Sequence, residues 1–169
     1  SFDQGKSFKL CGYLSHPDGR SFWEPAIVEL DGGHILMFMR CDGSGVIWKS
    51  ESFDYGMTWT AASATNIPNS GCKMSFLKID GKIVLVHNPT ASGRRILELW
   101  VSDDNTASWK TKIRLAEAIG EDIVKSGPPT WVCYPHCFAD EQKKLLYLAC
   151  DSVDMHYLMK IPFADFLLP

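Results

Sequence analysis

Apolar residues recur along this chain in short runs, often at every second position, and helical spacing is hard to find. Residues 26–40, AIVELDGGHILMFMR, are two apolar-rich runs around Asp31-Gly32-Gly33. Residues 74–87, MSFLKIDGKIVLVH, repeat the plan around Asp80-Gly81. An Asp-Gly pair between such runs predicts a β-hairpin, because the tight turn needs positive φ. GVIWKSES and ILELWVS predict a further strand after each hairpin, and KLLYLACD with MHYLMKIPF predicts another strand pair near the end. The best helical candidate is the short segment RLAEAIGED, residues 114–122.

A second pattern is superimposed on the strands. SFDQGKSF, SFDYGMTW and SDDNTASW begin at Ser1, Ser52 and Ser102, in steps of 51 and 50 residues. Each repeat holds a strand, an Asp-Gly turn, a strand, a loop, a strand, the Ser-x-Asp turn and one more strand. Four strands per roughly 50 residues predict an all-β chain built as blades of a β-propeller. The turn chemistry is intelligible residue by residue. Asp54 accepts hydrogen bonds from turn amides, Gly56 supplies backbone freedom, and Trp59 is an apolar anchor for the hairpin. The third copy carries Thr106 where the second has Gly56, so it is degenerate.

Composition changes the picture little. With 169 residues and 46% hydrophobic content, the chain is long enough for a domain with a real core. No apolar run approaches the roughly 18–20 residues of a membrane span, and no secretion signal is visible, so the compartment stays undetermined. A net charge of −3 argues against nucleic acid as a partner. The six cysteines are scattered, without paired C-x-x-C spacing, and read as small buried strand residues. Cys133 and Cys137 flank His136, which leaves a metal site there as the alternative. No cofactor is expected.

The Ser-x-Asp-x-Gly-x-Thr-Trp frame resembles the Asp box of sialidase-type propellers, where it is structural and lies away from the active site. Four further features resemble that family in their order. Glu24 stands in a W-E-P context, and Arg40 follows sixteen residues later in M-F-M-R. Arg94 lies eight residues before Ser102, with Arg95 beside it as the alternative. Tyr134-Pro135 opens the last repeat. The resemblance implies a six-bladed propeller of which this chain is the C-terminal part: a blade tail at 1–20, blades at 21–70 and 71–125, and a final blade at 129–166. Such a piece would expose apolar faces and open strand edges, and would need the remaining blades for stability.

The resemblance also implies an exo-acting glycoside hydrolase that cleaves a terminal acidic sugar with retention, its partner being a glycan. Arginines bind a carboxylate bidentately and keep their charge, which suits Arg40 and Arg94 to clamping an acidic sugar. An oxocarbenium-like centre forms beside that carboxylate, and an anionic nucleophile would be repelled there. A neutral Tyr134, with Glu24 taking its proton, avoids the repulsion. Trp23 is a candidate substrate contact; Trp131 and His136 are platform candidates for which core packing is the plainer role. The family's first arginine and its Asp general acid belong to the first blades. The family also places a Glu after the L-Y of the last blade, where this chain has Leu148, with Asp151 the nearest acid. That departure favours a glycosidase acting on another plant or bacterial polysaccharide. A non-catalytic carbohydrate-binding propeller is the third possibility.

Overall fold

The computed structural model describes residues 1, 3–117, 131–152 and 156–167. Among them, eleven strands form three antiparallel sheets. The first sheet runs β1 (Phe22–Asp31), β2 (His34–Cys41), β3 (Val46–Ser52) and β4 (Ser63–Pro68) in sequential order. The second repeats this order with β5 (Ser75–Ile79), β6 (Lys82–His87), β7 (Ile96–Ser102) and β8 (Thr111–Glu117). The third holds β9 (Val132–Asp140), β10 (Leu145–Ser152) and β11 (His156–Pro162). The Asp-Gly pairs sit in hairpin turns, closed by Asp31 opposite His34 and by Ile79 opposite Lys82.

The helical candidate at 114–122 is strand over its described part. Arg114–Glu117 belong to β8, where Arg114 pairs with Glu98 and Ala116 with Leu97. A free edge on β7 offers these residues a full ladder, whereas a nine-residue helix is marginal in water. Residues 118–122 lie outside the described part. The segment before β1 is strand-free over residues 3–21. It is anchored by His16, 4% exposed, whose ring lies 4.1 Å from that of Trp48 and 5.2 Å from that of Phe22.

The sheets stack face to face, and the core lies between them. Val28, Leu36, Phe38 and Ile47 of the first sheet pack on Phe76, Ile83, Leu85 and Trp100 of the second. The other face of the second sheet, through Val84, Val86, Leu97 and Leu99, packs on Leu146, Leu148 and Cys150 of the third. The second sheet is thus covered on both sides. This explains why Ile83–His87 form a continuous buried run without alternation. Among the described residues, the outer faces of the two end sheets are covered in part only, the first by the segment that carries His16, and they leave Ile27, Phe138 and Leu158 more than half exposed. Leu148, the residue that replaces the expected Glu, is wholly buried in the second interface.

The three Ser-x-Asp turns share one bonding pattern. The Ser hydroxyl donates to Asp Oδ1 at 2.8, 2.8 and 2.7 Å for Asp3, Asp54 and Asp104. The hydroxyl four residues after each Asp, on Ser7, Thr58 or Ser108, donates to Oδ2 at 2.6, 2.6 and 2.5 Å. These hydroxyls are the first cause holding all three carboxyls down at a pKa of about 2. The position held by Gly5, Gly56 and Thr106 has φ of 83°, 83° and 73°. A β-branched side chain is poorly tolerated in that left-handed region. Thr106→Gly should therefore stabilise the protein by about 1 kcal/mol, read as a higher thermal midpoint. A midpoint that stays put or falls would remove the strain argument. The last position of the frame diverges more. Trp59 donates its indole N–H to the Gly56 carbonyl at 3.1 Å, Trp109 packs near Trp100, and Phe8 is exposed.

Candidate functional site

The innermost strands of the three sheets are β1, β5 and β9. β5 touches β1 on one side and β9 on the other. Residues at the starts of these strands therefore share one rim, although they lie far apart in sequence.

Glu24 and Tyr134 reach that rim by the same local device. Each precedes a proline, Pro25 or Pro135, which has no N–H to give to the ladder. At each place the ladder register shifts: between Trp23 and Ala26 on β1, and across from Ala149 and Asp151 on β9. Both residues are left-handed, Glu24 at φ 46° and Tyr134 at φ 54°. A residue before proline ordinarily stays extended, so the surrounding sheet imposes these conformations at a cost of about 1–3 kcal/mol each. Bulges of this kind re-aim a side chain and recur beside active sites.

Arg40 arrives by simple alternation. Leu36 and Phe38 point into the interface with the second sheet, and Arg40 continues that face past the end of the core. Arg94 sits just before β7. Its carbonyl accepts the Val132 N–H at 2.7 Å, which ties it to the start of β9. The buried Asn88 side chain strengthens the junction by donating to the carbonyls of Ile96, at 2.6 Å, and Val132, at 2.8 Å.

The result is a polar cluster around the Tyr134 hydroxyl. Arg40 Nη1 donates to Glu24 Oε2 at 2.9 Å and to the Tyr134 hydroxyl oxygen at 3.3 Å. Arg94 Nη1 donates to the same oxygen at 3.3 Å, and its guanidinium stands 5.2 Å from the centre of the Tyr134 ring. Burial opposes the charge on both arginines. Bonding to Tyr134, with the field of Glu24 at Arg40 and of Cys72 at Arg94, outweighs it and holds their pKa values above the ordinary one. Two cationic donors thus converge on one phenol oxygen. Glu24 and Tyr134 are joined through Arg40 rather than by a direct hydrogen bond among the described contacts.

The other named residues are placed less centrally. Arg95 is exposed, and the hydrogen bonds to the Tyr134 hydroxyl come from Arg40 and Arg94. Trp23 is half exposed and is the ladder partner of Arg40. Asp151 is held by His156 Nδ1 at 3.0 Å and faces Cys133 across the ladder.

Two neighbours of the cluster, Asp42 and Cys72, were not among the sequence candidates, and Cys133 was named there only for the alternative metal site. Asp42 Oδ1 lies 3.7 Å from Arg40 Nη2 and packs against Gly71, where a Cβ would sit 2.7 Å from that oxygen. Cys72 and Cys133 are buried free thiols directly behind the arginines. The Cys72 thiol is pulled down to about 7, first by a hydrogen bond from Cys133 and then by the Tyr134 amide and the fields of Arg94 and Arg40; Cys133 is pushed up. Scattered spacing hid this pair, because Gly71-Cys72 and Val132-Cys133 meet only when two sheets stack.

The chain matches the family model described as BNR repeat-like domain over residues 3–146, and it belongs to that family. No curated protein matches it. Among solved structures it is similar to the NanB sialidase of Streptococcus pneumoniae, with TM-score 0.74 and 20% identity over 98% of this chain and 27% of that one. A leech intramolecular trans-sialidase gives TM-score 0.74 and 19% identity over 98% and 27%. An α-L-arabinofuranosidase of Fusarium graminearum gives 0.65 and 16% over 92% and 50%. The chain therefore spans about a quarter of the length of these sialidase structures. At such identities the likeness establishes the fold: the three sheets are blades of the sialidase propeller type, in an all-β chain.

Proposed function

We propose that this chain carries half of the active site of an exo-glycoside hydrolase that removes a terminal acidic sugar with retention. One observation carries the reading: Arg40 and Arg94 converge on the hydroxyl of Tyr134, and Arg40 is paired with Glu24. In the proposed first step the Tyr134 oxygen attacks the anomeric carbon while the bond to the aglycone oxygen breaks. The phenolic proton passes to Glu24. The substrate carboxylate draws the two guanidinium groups onto itself, and this brings the Glu24 and Tyr134 oxygens together. Water then cleaves the tyrosyl intermediate, giving its proton to the acid that had protonated the leaving oxygen, and Tyr134 recovers its proton from Glu24. A neutral nucleophile is the right type beside a carboxylate-bearing, oxocarbenium-like centre. The acid that protonates the leaving oxygen and a further arginine are assigned by this reading to other blades of the same propeller. The reading also takes 1–20, 21–70, 71–125 and 129–166 as successive parts of its C-terminal half, with exposed Ile27, Phe138 and Leu158 covered by the missing neighbours.

A second reading has its own support. Leu148 is locked into the core where the sialidase pattern has an acid, and the arabinofuranosidase shares the fold. On that reading the same scaffold acts on a neutral or uronic-acid-containing polysaccharide. Incubating the full-length protein with an aryl sialoside and an aryl α-L-arabinofuranoside separates the two. The expected result is turnover of the sialoside, with the first-formed sugar keeping its anomeric configuration by NMR. Turnover of the arabinofuranoside alone would establish the second reading. Sugar binding without turnover of either would make this a binding propeller.

A further inference from the structure

Two residues of the site lie where their own sheets grip them least. Arg94 stands two residues before Ile96, which opens β7, and so lies outside the β7–β8 ladder. Tyr134 falls within the register shift of β9, between Cys133, opposite Asp151, and His136, opposite Ala149. Yet the Arg94 guanidinium meets the Tyr134 hydroxyl at 3.3 Å across a sequence separation of 40 residues. Something other than the two ladders has to place one against the other.

A junction between the blades lies close to both. Val132, which opens β9 two residues before Tyr134, is held at both of its backbone groups. Its N–H donates to the Arg94 carbonyl at 2.7 Å, and its carbonyl accepts from Asn88 Nδ2 at 2.8 Å. The same Nδ2 donates to the Ile96 carbonyl at 2.6 Å. These three bonds close a ring through Arg94, Ile96, Asn88 and Val132. Asn88 follows the last residue of β6 and is wholly buried. A side-chain amide has two N–H donors, and here one serves a carbonyl of the second sheet and the other a carbonyl of the third. The Asn88 side-chain oxygen has no hydrogen-bond partner among the described residues. An unpaired buried acceptor is a cost, so the side chain is set for bridging rather than for its own satisfaction.

We propose that Asn88 is a positioning residue that sets the Arg94 guanidinium against the Tyr134 hydroxyl. The assignment deepens the glycosidase reading and rests on it for its kinetic test. Full-length wild type, Asn88→Ala, Asn88→Ser, Arg94→Met and the Asn88→Ala, Arg94→Met double variant are compared on the aryl glycoside that the wild type turns over. Each is assayed below its own thermal transition. Asn88→Ala leaves both carbonyls without their donor, and kcat/KM should fall roughly 10- to 100-fold, the cost of misplacing reacting groups by about 1 Å. Asn88→Ser keeps one donor and should show a smaller fall; it decides the matter if the alanine variant does not fold. In the Arg94→Met background Asn88→Ala should cost less than about threefold, because the contact it places is already gone. Additive effects, an unchanged kcat/KM with a lowered thermal midpoint, or failure of both Asn88 variants to fold would make Asn88 a structural tether and overturn the assignment. Crystal structures of the wild type and of a folded Asn88 variant give a readout without turnover. Arg94 Nη1 and the Tyr134 hydroxyl should part beyond hydrogen-bond reach in the variant, and an unchanged separation overturns the assignment. If they part and no glycoside is turned over by the wild type, the positioning role stands and the hydrolase reading falls.

Discussion

Tyr134→Phe should abolish hydrolysis while leaving the protein folded. Removing one oxygen deletes the atom on which Arg40 and Arg94 converge, and Phe keeps the ring beside the Arg94 guanidinium. Loss of a nucleophile costs about 10³-fold or more in kcat, because no neighbouring group supplies the same bond. KM should change little, since the sugar carboxylate is clamped by the arginines. The thermal midpoint should stay within a degree or two, because the left-handed backbone at Tyr134 is imposed by the bulge and not by the hydroxyl. Steady-state kinetics of the full-length variant on an aryl glycoside makes the measurement. Activity within tenfold of wild type would remove Tyr134 from the chemistry. A collapse of both kcat and stability would make its hydroxyl a structural tether.

Phe38→Ala should be the most damaging single truncation of the fold. Phe38 is 1% exposed and stacks on Phe76 with ring centres 4.4 Å apart and planes at 17°. The contact joins β2 of the first sheet to β5 of the second, at the centre of their shared core. The cost is the lost transfer energy of the ring plus a cavity that two rigid sheets cannot close, about 3–5 kcal/mol. Phe38→Leu keeps most of the volume and should cost less than about 1.5 kcal/mol. Urea unfolding of the full-length variants gives both numbers. An alanine cost below about 1 kcal/mol would mean that the sheets do not depend on this interface. Arg40 lies two residues further along the same face of β2, so the alanine variant should also loosen the placement of Arg40 against Tyr134.

How much of this was legible beforehand follows from the range of the forces. The hairpins around Asp31-Gly32-Gly33 and Asp80-Gly81 are short-range, and their residues suffice to specify them. So are the Ser-x-Asp turns, where every partner lies within four residues. The segment 114–117 was misread because its own periodicity is weak and its partner strand, β7, was not visible in the local pattern. Cys72 and Cys133 were read correctly as buried, but their contact was not anticipated, since it forms between sheets.

By itself the sequence determined the strands, their turns, the repeat of roughly 50 residues and the chemical types available to the site. Those depend on alternation, glycine and short hydrogen-bonded loops, all local in the chain. Tertiary structure decided which of those types meet. Arg40 and Tyr134 are 94 residues apart, and Arg94 and Tyr134 are 40 apart. They share a rim only because apolar faces stack the sheets with their first strands side by side. It also decided that Glu24 reaches Tyr134 through Arg40, and that Arg94 rather than Arg95 bonds the phenol. Local patterns carry no record of such distances, because interface burial acts on whole sheets and not on the residues that ride at their ends.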